Sequence, residues 1–443
     1  MPDRSEELLP HLLDHRLPGL PAGDGFVYPA YEGRSLLNVP DSLCRLLGAP
    51  ELGAGALDPL ILNGAGMEAG GARRVVLVLM DALSLNRLRR WMAGGAAPLW
   101  QDLAEGGQLV PLTSITPSTT AAAMCSLWTG RSPAEHGIAG YELWMKEYGV
   151  VVNTILHTPS SFRGDTGGLA RAGFSAESYL PFPTLGAHLA RSGIASVALM
   201  PLGILNSGLS RMVMQGVRQF GYTSLSDLWV NARKLVEDPF SLSPDPTPVE
   251  RSPDGRAYIY IYWSAIDTLS HRYGPDDERT IAEFEAFSRA CERLFLEKLA
   301  PQARQDTLLV FTADHGAAAT DPDPYYDLRE HPGLLRRLHL LPTGEQRLAY
   351  LHIRPGQTEA VREYIERTWP NQFVLLDPLY ALEAGLFGPG SPHPALQDRL
   401  GDLIAAAKGR AYWWWSSGEN RLLGRHGGLS ADEMLIPFLT LKP

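Results

Sequence analysis

The segment RRVVLVLMD, residues 73–81, decides the fold class. Two arginines are followed by six consecutive apolar residues, Val75 to Met80, and then by Asp81. An uninterrupted β-favouring run is typical of a strand in a parallel sheet that is covered on both faces, because such a strand has no exposed side to carry polar residues. We therefore expect a central buried strand that ends at an aspartate.

Further runs of the same kind occur along the chain. They are 109–112, 195–200, 257–263, 307–312, 349–353, 373–376 and 435–441. Amphipathic segments with helical spacing lie between several of them, such as 83–91, 184–192 and 280–299. Strands that alternate with helices predict an α/β fold, here a mostly parallel central sheet flanked by helices on both faces.

Two parts of the chain depart from this alternation. Residues 1–70 are rich in proline and glycine, and we expect them to form an arm packed on the core. Residues 71–443 then form the main domain. Within it we interpret three stretches as insertions that cap one edge of the sheet, namely 140–173, 219–255 and 320–417. The insertions thus lie near 140–255 and 320–417.

Composition and charge exclude several classes of protein. Of the 443 residues, 45% are hydrophobic and 20% are charged, which is typical of a globular protein and not of a disordered chain. The net charge of −10 argues against dedicated nucleic-acid binding, which normally requires a basic surface. A small-molecule ligand is therefore the expected partner.

The cysteines and the apolar segments indicate the compartment. Cys44, Cys125 and Cys291 are too few and too scattered for a disulfide framework or a thiolate zinc site. The N-terminal segment lacks the apolar run of a signal peptide, and no stretch is long and apolar enough to span a membrane. We therefore predict a cytoplasmic protein with no membrane partner and leave its oligomeric state open.

Acidic and imidazole side chains follow several of the predicted strands. They are Asp81, Asp267, His271, Asp314, His315 and His426. In open α/β sheets, ligands bind beyond the carboxyl ends of the strands, so these groups are placed to meet there. Carboxylate and imidazole ligands without sulfur suit Zn²⁺, Mn²⁺ or Fe, and a pair of such ions can bind both the attacking and the leaving oxygen of a phosphoryl displacement. The ligand types therefore indicate the hydrolysis of phosphate or sulfate esters.

A candidate nucleophile lies in the segment TPSTTAAAM, residues 116–124. The proline and serine signal a helix start, and the alanines favour its continuation. A hydroxyl in the first turn of that helix lies near the positive end of the helix dipole, which favours an alkoxide and an incoming phosphate. Thr120 is the candidate that a metal could activate. Ser118 and Thr119 are the competing hydroxyls, and either could instead cap the helix.

At this point the chain resembles the alkaline phosphatase superfamily, and more closely its nucleotide pyrophosphatase/phosphodiesterase-like branch. The resemblance extends from about residue 75 to residue 443 and rests on five blocks in family order. The blocks are Leu79-Met80-Asp81; Pro117 to Thr120 with Thr129-Gly130 and Pro133 to Gly137; Asp267 to His271 with Gly274-Pro275; Thr312 to Gly316; and His426-Gly427-Gly428. Each block is weak alone, whereas all five in order are specific.

The resemblance implies a role for each matched residue. Thr120 would be the nucleophile, one metal would be held by Asp267, His271 and His426, and the other by Asp81, Asp314 and His315 together with the Thr120 oxygen. It implies two divalent metal ions, expected to be Zn²⁺, and an alkaline phosphatase-like fold. The reaction would proceed through a phospho-threonine, which water then hydrolyses.

The sequence departs from the diesterase pattern near the substrate. Relatives that act on nucleotides tend to carry an asparagine soon after the His-Gly pair, where its amide donates to a phosphate oxygen. Gly140 and Tyr141 stand there in this chain, so Tyr141 either replaces the donor or the contact is lost. Residues 121–123 are alanines where Phe-Pro-Asn is frequent. The Cys/Ser-x-Pro-x-Arg motif of the sulfatase branch is missing, which excludes that branch.

Two further motifs have structural explanations. His136 belongs to the family signature, but we expect it to brace a loop and not to bind metal. The aromatic residues 412–415 could line the mouth of the site and stack on a substrate ring, or they could pack a strand against the core. We favour packing.

We therefore expect a phosphodiesterase or nucleotide pyrophosphatase that acts on a small phosphoester, such as a nucleotide. A phosphomonoesterase or phosphonate hydrolase is the first alternative. A phosphomutase is the next, because the insertion near 140–255 is long enough to form a lid that excludes water. A non-catalytic metal-binding module is disfavoured, since binding alone would not need Thr120 among the ligands.

Overall fold

The computed structural model of the chain describes residues 3–21, 25–62, 70–96, 98–161, 167–242 and 255–443. The strands, in chain order, are β1 (Arg74–Met80), β2 (Gln108–Thr113), β3 (Glu142–Met145), β4 (Val150–Asn153), β5 (Thr158–Pro159), β6 (Ala195–Pro201), β7 (Arg218–Tyr222), β8 (Ala257–Trp263), β9 (Thr307–Thr312), β10 (Ala318–Ala319), β11 (Thr343–Glu345), β12 (Leu348–Leu351), β13 (Phe373–Leu376), β14 (Leu403–Ala407), β15 (Gly424–Arg425) and β16 (Leu435–Leu441).

The α-helices alternate with these strands and pack around them. They are α1 (Ser5–Leu13), α2 (Val39–Leu47), α3 (Pro59–Leu62), α4 (Leu85–Ala93), α5 (Leu99–Gly106), α6 (Thr120–Thr129), α7 (Pro133–His136), α8 (Gly168–Arg171), α9 (Ala176–Tyr179), α10 (Leu185–Arg191), α11 (Gly208–Val213), α12 (Leu225–Glu237), α13 (Ala265–Tyr273), α14 (Glu278–Cys291), α15 (Pro301–Gln305), α16 (Pro332–Leu335), α17 (Thr358–Thr368), α18 (Pro378–Glu383), α19 (Leu396–Leu400) and α20 (Ala431–Met434). No helix in the described part of the chain is both long and apolar enough to cross a membrane.

The main sheet has seven strands in the order β2-β16-β9-β1-β8-β6-β7. The central strand β1 pairs in parallel with β8 and β9, and β6 continues the parallel arrangement from β8 to β7. Only β16 runs against its neighbours, β9 and β2. Every residue of β1 is buried, as expected for a strand covered on both sides. The predicted mostly parallel α/β fold is confirmed.

Helices cover both faces of this sheet. On one face α6 packs against the tyrosines of β8, where the ring centroids of Trp128 and Tyr260 are 5.0 Å apart. On the other face Trp263 of β8 stacks on Phe287 of α14 at 3.9 Å. The alternation of side chains along β8 therefore directs tyrosines towards α6 and Trp263 towards α14.

A second sheet of seven strands has the order β13-β14-β12-β11-β3-β4-β5 and is antiparallel. Strands β3 to β5 come from the predicted insertion 140–173, and β11 to β14 come from the insertion 320–417. Two insertions that are distant in sequence thus form one sheet, which includes the predicted strands 349–353 and 373–376. The apolar runs of these two strands could not show which sheet each strand joins, because strands of both sheets have a buried face.

The structure differs from the expectation for residues 219–255. Instead of forming a cap, this stretch supplies most of β7, which is an edge strand of the main sheet, and the whole of α12. The half-buried β7 lacks the continuous apolar run that marks the central strands, so its pattern was not recognised. Residues 243–254 lie outside the described residues.

The N-terminal segment lies along the main sheet. Asp3 and Ser35 form isolated bridges with Leu109 and Thr113 of β2, and Val27 donates a backbone hydrogen bond to Leu429 at 2.7 Å. Helix α2 packs against β1 and α6, and its buried residues belong to the same core. The described residues of the segment thus cover one side of the core.

Candidate metal centre

The candidate site residues lie at the carboxyl end of the main sheet. Asp81 directly follows β1, Asp314 and His315 follow β9, and Asp267 and His271 lie one turn apart on α13, which follows β8. The parallel register places Met80 opposite Trp263, so these strands end at the same level. Their connections therefore converge on one edge of the sheet.

Asp81, Asp314 and His315 form one cluster. Each contributes one potential ligand atom, and these atoms lie within 4.8 Å of one another. His315 Nε2 lies 3.5 Å from Asp81 Oδ1 and 3.4 Å from Asp314 Oδ2. All three residues are buried. The spacing suits three side chains that surround one cation.

Asp267, His271 and His426 form a second cluster of the same kind, with its ligand atoms also within 4.8 Å of one another. Asp267 Oδ1 lies 3.3 Å from His271 Nε2 and 3.7 Å from His426 Nε2. The two clusters adjoin, because the rings of His315 and His426 stack with centroids 4.0 Å apart. The structure thus brings together all six predicted ligand residues, in the two groups that the resemblance implies.

The three histidines are oriented alike. The Nδ1 atom lies 2.9 Å from the Gly316 carbonyl oxygen in His315, 2.8 Å from that of Gly424 in His271, and 3.2 Å from that of Ser118 in His426. A carbonyl oxygen only accepts, so each Nδ1 carries the proton and donates it. Each Nε2 consequently presents a lone pair to its cluster, the tautomer that a metal ligand requires.

Three buried carboxylate oxygens without hydrogen-bond donors indicate that the clusters bind cations. Among the described residues, Asp81 Oδ1, Asp267 Oδ1 and Asp314 Oδ2 have no hydrogen-bond donor. They are also the oxygens nearest to the Nε2 atoms of their clusters. A buried carboxylate oxygen without a partner is costly, and a bound cation removes that cost. The donor set therefore fits one divalent ion in each cluster.

Burial and like charges shift the ionisation of these groups. Burial, together with the charges of Asp314 and Asp267, raises the pKa of Asp81 well above its usual range. Burial, followed by the neighbouring His315 and His271, lowers the pKa of His426 well below its usual value. A neutral imidazole beside crowded carboxylates is the state that binds a cation.

The backbone at the end of β1 supports the first cluster. Ala82 adopts a left-handed conformation with φ 63°, which is unusual for a residue with a side chain. Its N–H donates to Asp314 Oδ1 at 3.3 Å, and the N–H of His315 donates to the same oxygen at 3.0 Å. These two donors occupy Oδ1 and leave Oδ2 for the cluster.

Thr120 is the first residue of α6 and faces the clusters. Its Oγ1 lies 3.2 Å from His315 Nε2. The competing hydroxyls have other neighbours: Ser118 Oγ donates to the Gly428 carbonyl at 2.7 Å, and the Thr119 side chain makes no capping bond and lies near the Glu345 carboxyl. Thr120 is therefore the hydroxyl of the three that faces the clusters.

Comparisons with known proteins identify the family and the fold. The family model described as type I phosphodiesterase/nucleotide pyrophosphatase matches residues 75–429, which include all six clustered side chains and Thr120. The chain belongs to this family. It is accordingly a phosphoester hydrolase, and its family is metal-dependent. No curated protein matches the sequence.

Solved structures share the fold at low sequence identity. Murine ectonucleotide pyrophosphatase/phosphodiesterase 5, as an inactive variant in complex with AMP, is 17% identical with a TM-score of 0.59, and the match covers 83% of this chain and 87% of that chain. Phosphonoacetate hydrolase from Sinorhizobium meliloti, in complex with phosphonoformate, is 18% identical with a TM-score of 0.58, over 84% of this chain and 90% of that chain. At these identities the likeness shows the fold.

Tyr141 is the candidate substrate contact from the sequence. The residue is 41% exposed, and its backbone is fixed: the N–H donates to Glu345 Oε1 at 2.7 Å, and the carbonyl accepts from the Thr154 N–H at 2.9 Å. The substrate contact of Tyr141 stays a prediction.

Two residues near the site escaped the sequence analysis. Tyr262 of β8 donates a hydrogen bond to Asp81 Oδ2, and Glu345 reaches the site from the second sheet. The position of Tyr262 one residue before the end of β8 was a usable signal. Glu345 offered none, because the pairing of β11 with β3 brings it to the site.

The other motifs have structural roles. His136 is buried, with Nε2 3.1 Å from Ser126 Oγ and Nδ1 accepting from the Ile138 N–H at 3.1 Å, so it braces the loop after α6 as expected. The aromatic residues 412–415 are all buried, and Trp413 stacks on Phe373 at 4.3 Å. Packing, and not the mouth of the site, explains that run.

Proposed function

We propose that this protein hydrolyses phosphodiester or pyrophosphate bonds of small molecules, nucleotides foremost, with Thr120 as the nucleophile. The observation that carries the proposal is the position of the Thr120 hydroxyl, 3.2 Å from His315 Nε2 in one cluster and beside the adjoining cluster that contains His426. A hydroxyl at a helix start beside one such cluster, with a second cluster adjoining the first, suits phosphoryl transfer.

Asp81, Asp314 and His315 would hold one divalent ion, and Asp267, His271 and His426 would hold the other. We propose zinc for both, because the ligands combine carboxylate oxygen with imidazole nitrogen. When bound, the two ions would neutralise charge on the phosphoryl oxygens and favour the ionised hydroxyl.

The chain's own residues supply the nucleophile and its orientation. Thr120 Oγ1 attacks phosphorus, the new P–O bond forms as the bond to the leaving oxygen breaks, and a phospho-threonine results. The intermediate keeps the second ester substituent of a diester. Water then attacks the same phosphorus, the bond to Thr120 Oγ1 breaks, and a phosphomonoester leaves as the threonine hydroxyl is restored. The N-terminal N–H groups of α6 and the helix dipole favour the anionic phosphoryl group throughout.

Phosphonate hydrolysis is the second candidate. It is favoured by the structural likeness to phosphonoacetate hydrolase, which is similar in extent to the likeness to the phosphodiesterase. The family match favours the diesterase.

A cytoplasmic location stays a prediction, and the three cysteines are buried and unpaired.

The test compares Thr120→Ala with the parent protein on three substrates: bis(p-nitrophenyl) phosphate, p-nitrophenyl phosphate and a phosphonate ester. We expect the diester to be the best substrate of the parent, and Thr120→Ala to lose turnover of all three while its metal content stays unchanged. Thr358→Ala, at the first residue of helix α17, is the control. Full activity of Thr120→Ala would reject Thr120 as the nucleophile. If the parent protein prefers the phosphonate ester, phosphonate hydrolysis replaces diester hydrolysis as the proposed function.

A further inference from the structure

Glu345 lies at the end of β11 and carries a carboxyl group into the nucleophile region. The residue is 7% exposed, its Oε1 accepts the Tyr141 N–H at 2.7 Å, and the Thr119 side chain lies close enough to interact with the carboxyl. Thr119 directly precedes Thr120, so their Cα atoms are about 3.8 Å apart. The Glu345 carboxyl is therefore a near neighbour of any phosphoryl group on Thr120.

Three glycines permit this approach. A Cβ on Gly427, the residue after His426, would overlap the Glu345 side chain, and a Cβ on Gly140 would lie 2.8 Å from the Cα of Gly344. Gly344 itself has φ +85°, which residues with side chains rarely adopt. Close backbone contact thus seats the carboxyl between the nucleophile helix and the loop that follows His426.

The surroundings hold the carboxyl in place and provide no cation to neutralise its charge once it ionises. Burial and the charges of Glu142 and Glu433 oppose ionisation, whereas the Tyr141 N–H, which donates to the carboxyl, and the nearby Thr119 side chain favour it. Burial is the largest of these effects, and together they raise the pKa of Glu345 to about 8. The nearby cationic Arg347 is itself paired with Glu433, at 2.8 Å. Tyr350 of β12 also faces the carboxyl, and His426 lies one residue from Gly427.

We propose that Glu345 is a specificity-determining residue, whose negative charge beside Thr120 favours singly charged phosphodiesters over doubly charged phosphomonoesters. The proposal rests on the proposed function. A phosphomonoester carries one more negative charge on the phosphoryl oxygens than a diester does. A carboxylate near the phosphoryl group repels that extra charge and leaves the neutral ester substituent of a diester unaffected.

The experiment measures kcat/KM for bis(p-nitrophenyl) phosphate and p-nitrophenyl phosphate at pH 9, where the carboxyl is ionised. Glu345→Gln keeps the size and the acceptor oxygen but removes the charge. We expect the diester-to-monoester ratio to fall about tenfold or more, because the monoester gains. The inhibition constant of inorganic phosphate should fall in parallel. Glu359→Gln, at an exposed position in the first turn of α17, is the matched control and should keep the parent ratio.

A purely structural role would change both substrates alike, so an unchanged ratio in Glu345→Gln overturns the proposal. Should that variant fail to fold, Glu345→Ala carries the same comparison. The inhibition constant of inorganic phosphate gives an independent measure, and an unchanged constant in Glu345→Gln also overturns the proposal. Failure of the proposed function is distinct, because the parent would then hydrolyse neither ester or would not depend on Thr120.

Discussion

The phenol of Tyr262 donates a hydrogen bond to Asp81 Oδ2 across the neighbouring strands β8 and β1. The other oxygen of the same carboxylate, Oδ1, has no donor and lies 3.5 Å from His315 Nε2. The tyrosine therefore holds one oxygen of Asp81 and leaves the other to a cation. Partners of this kind orient a ligand and tune its affinity.

Replacing Tyr262 should accordingly weaken metal binding. Tyr262→Phe removes the donor and leaves Asp81 Oδ2 buried without a partner. We expect an affinity for zinc about 10- to 100-fold lower, measured by competition with a chromophoric chelator. The control is Tyr260→Phe, because Tyr260 lies on the same face of β8 but bonds to the sulfur of Met124 at 3.2 Å. Equal affinities in the two variants would contradict the assigned role.

The two clusters should lose metal separately. His271→Ala removes one of three ligands from its cluster and none from the cluster of Asp81, Asp314 and His315. Elemental analysis of protein purified without chelator should show about two equivalents of metal in the parent and about one in this variant. His393→Ala should retain both, since His393 belongs to neither cluster. Two equivalents in His271→Ala would argue against the assigned ligands.

The raised pKa of Glu345 predicts a pH-dependent stability. Because the folded state raises this pKa from its ordinary 4.5 to about 8, the folded protein binds the proton more tightly than the unfolded chain does. The stabilisation is complete below the unfolded pKa and is lost as the pH rises through about 8.

Between pH 7 and pH 9 this group should therefore cost the metal-free protein about 1.4 kcal/mol of unfolding free energy. Urea denaturation of chelator-treated protein at both pH values measures the loss. Glu345→Gln is the control, because every other titrating group is the same in both proteins. Its loss of unfolding free energy between the two pH values should be smaller than that of the parent by about that amount. A loss of equal size in the two proteins would show that Glu345 does not titrate in this range.

A buried ion pair joins the second sheet to the site. Arg347 and Glu433 are both inaccessible to solvent, with Nε and Oε1 2.8 Å apart. Glu433 Oε1 also accepts from the Gly428 N–H at 2.8 Å, and its carbonyl accepts from the Gly316 N–H at 2.8 Å. The pair thus supports both loops that carry ligand histidines.

Arg347→Met should destabilise the protein by about 3–5 kcal/mol, because it leaves a buried carboxylate unpaired. Urea denaturation measures the change. Arg410→Met is the control, since the Arg410–Asp321 pair is mostly exposed and should contribute about 1 kcal/mol or less. If both variants lose the same small amount, the buried pair is not a structural link.

The sequence predicted the elements whose pattern is local. The run from Val75 to Met80 identified the central strand, because a strand buried on both faces must be apolar throughout. Asp81 and Asp314 were recognised as site residues because parallel strands end at a common edge. By contrast, β7 is half-buried and lacks that run, so it was assigned to an insertion.

By itself, then, the sequence determined the parallel core and the six candidate ligand residues, because strand ends and short motifs are local features of the chain. The family and the division of the ligands into two clusters came from the resemblance that these motifs carry. Only the tertiary structure decided that two insertions form one sheet and that Glu345 thereby reaches Thr119. It also decided which oxygen of Asp81 remains without a donor. Contacts between residues 204 positions apart, such as Tyr141 and Glu345, depend on strand pairing and close glycine packing, which leave no periodic signal in the chain.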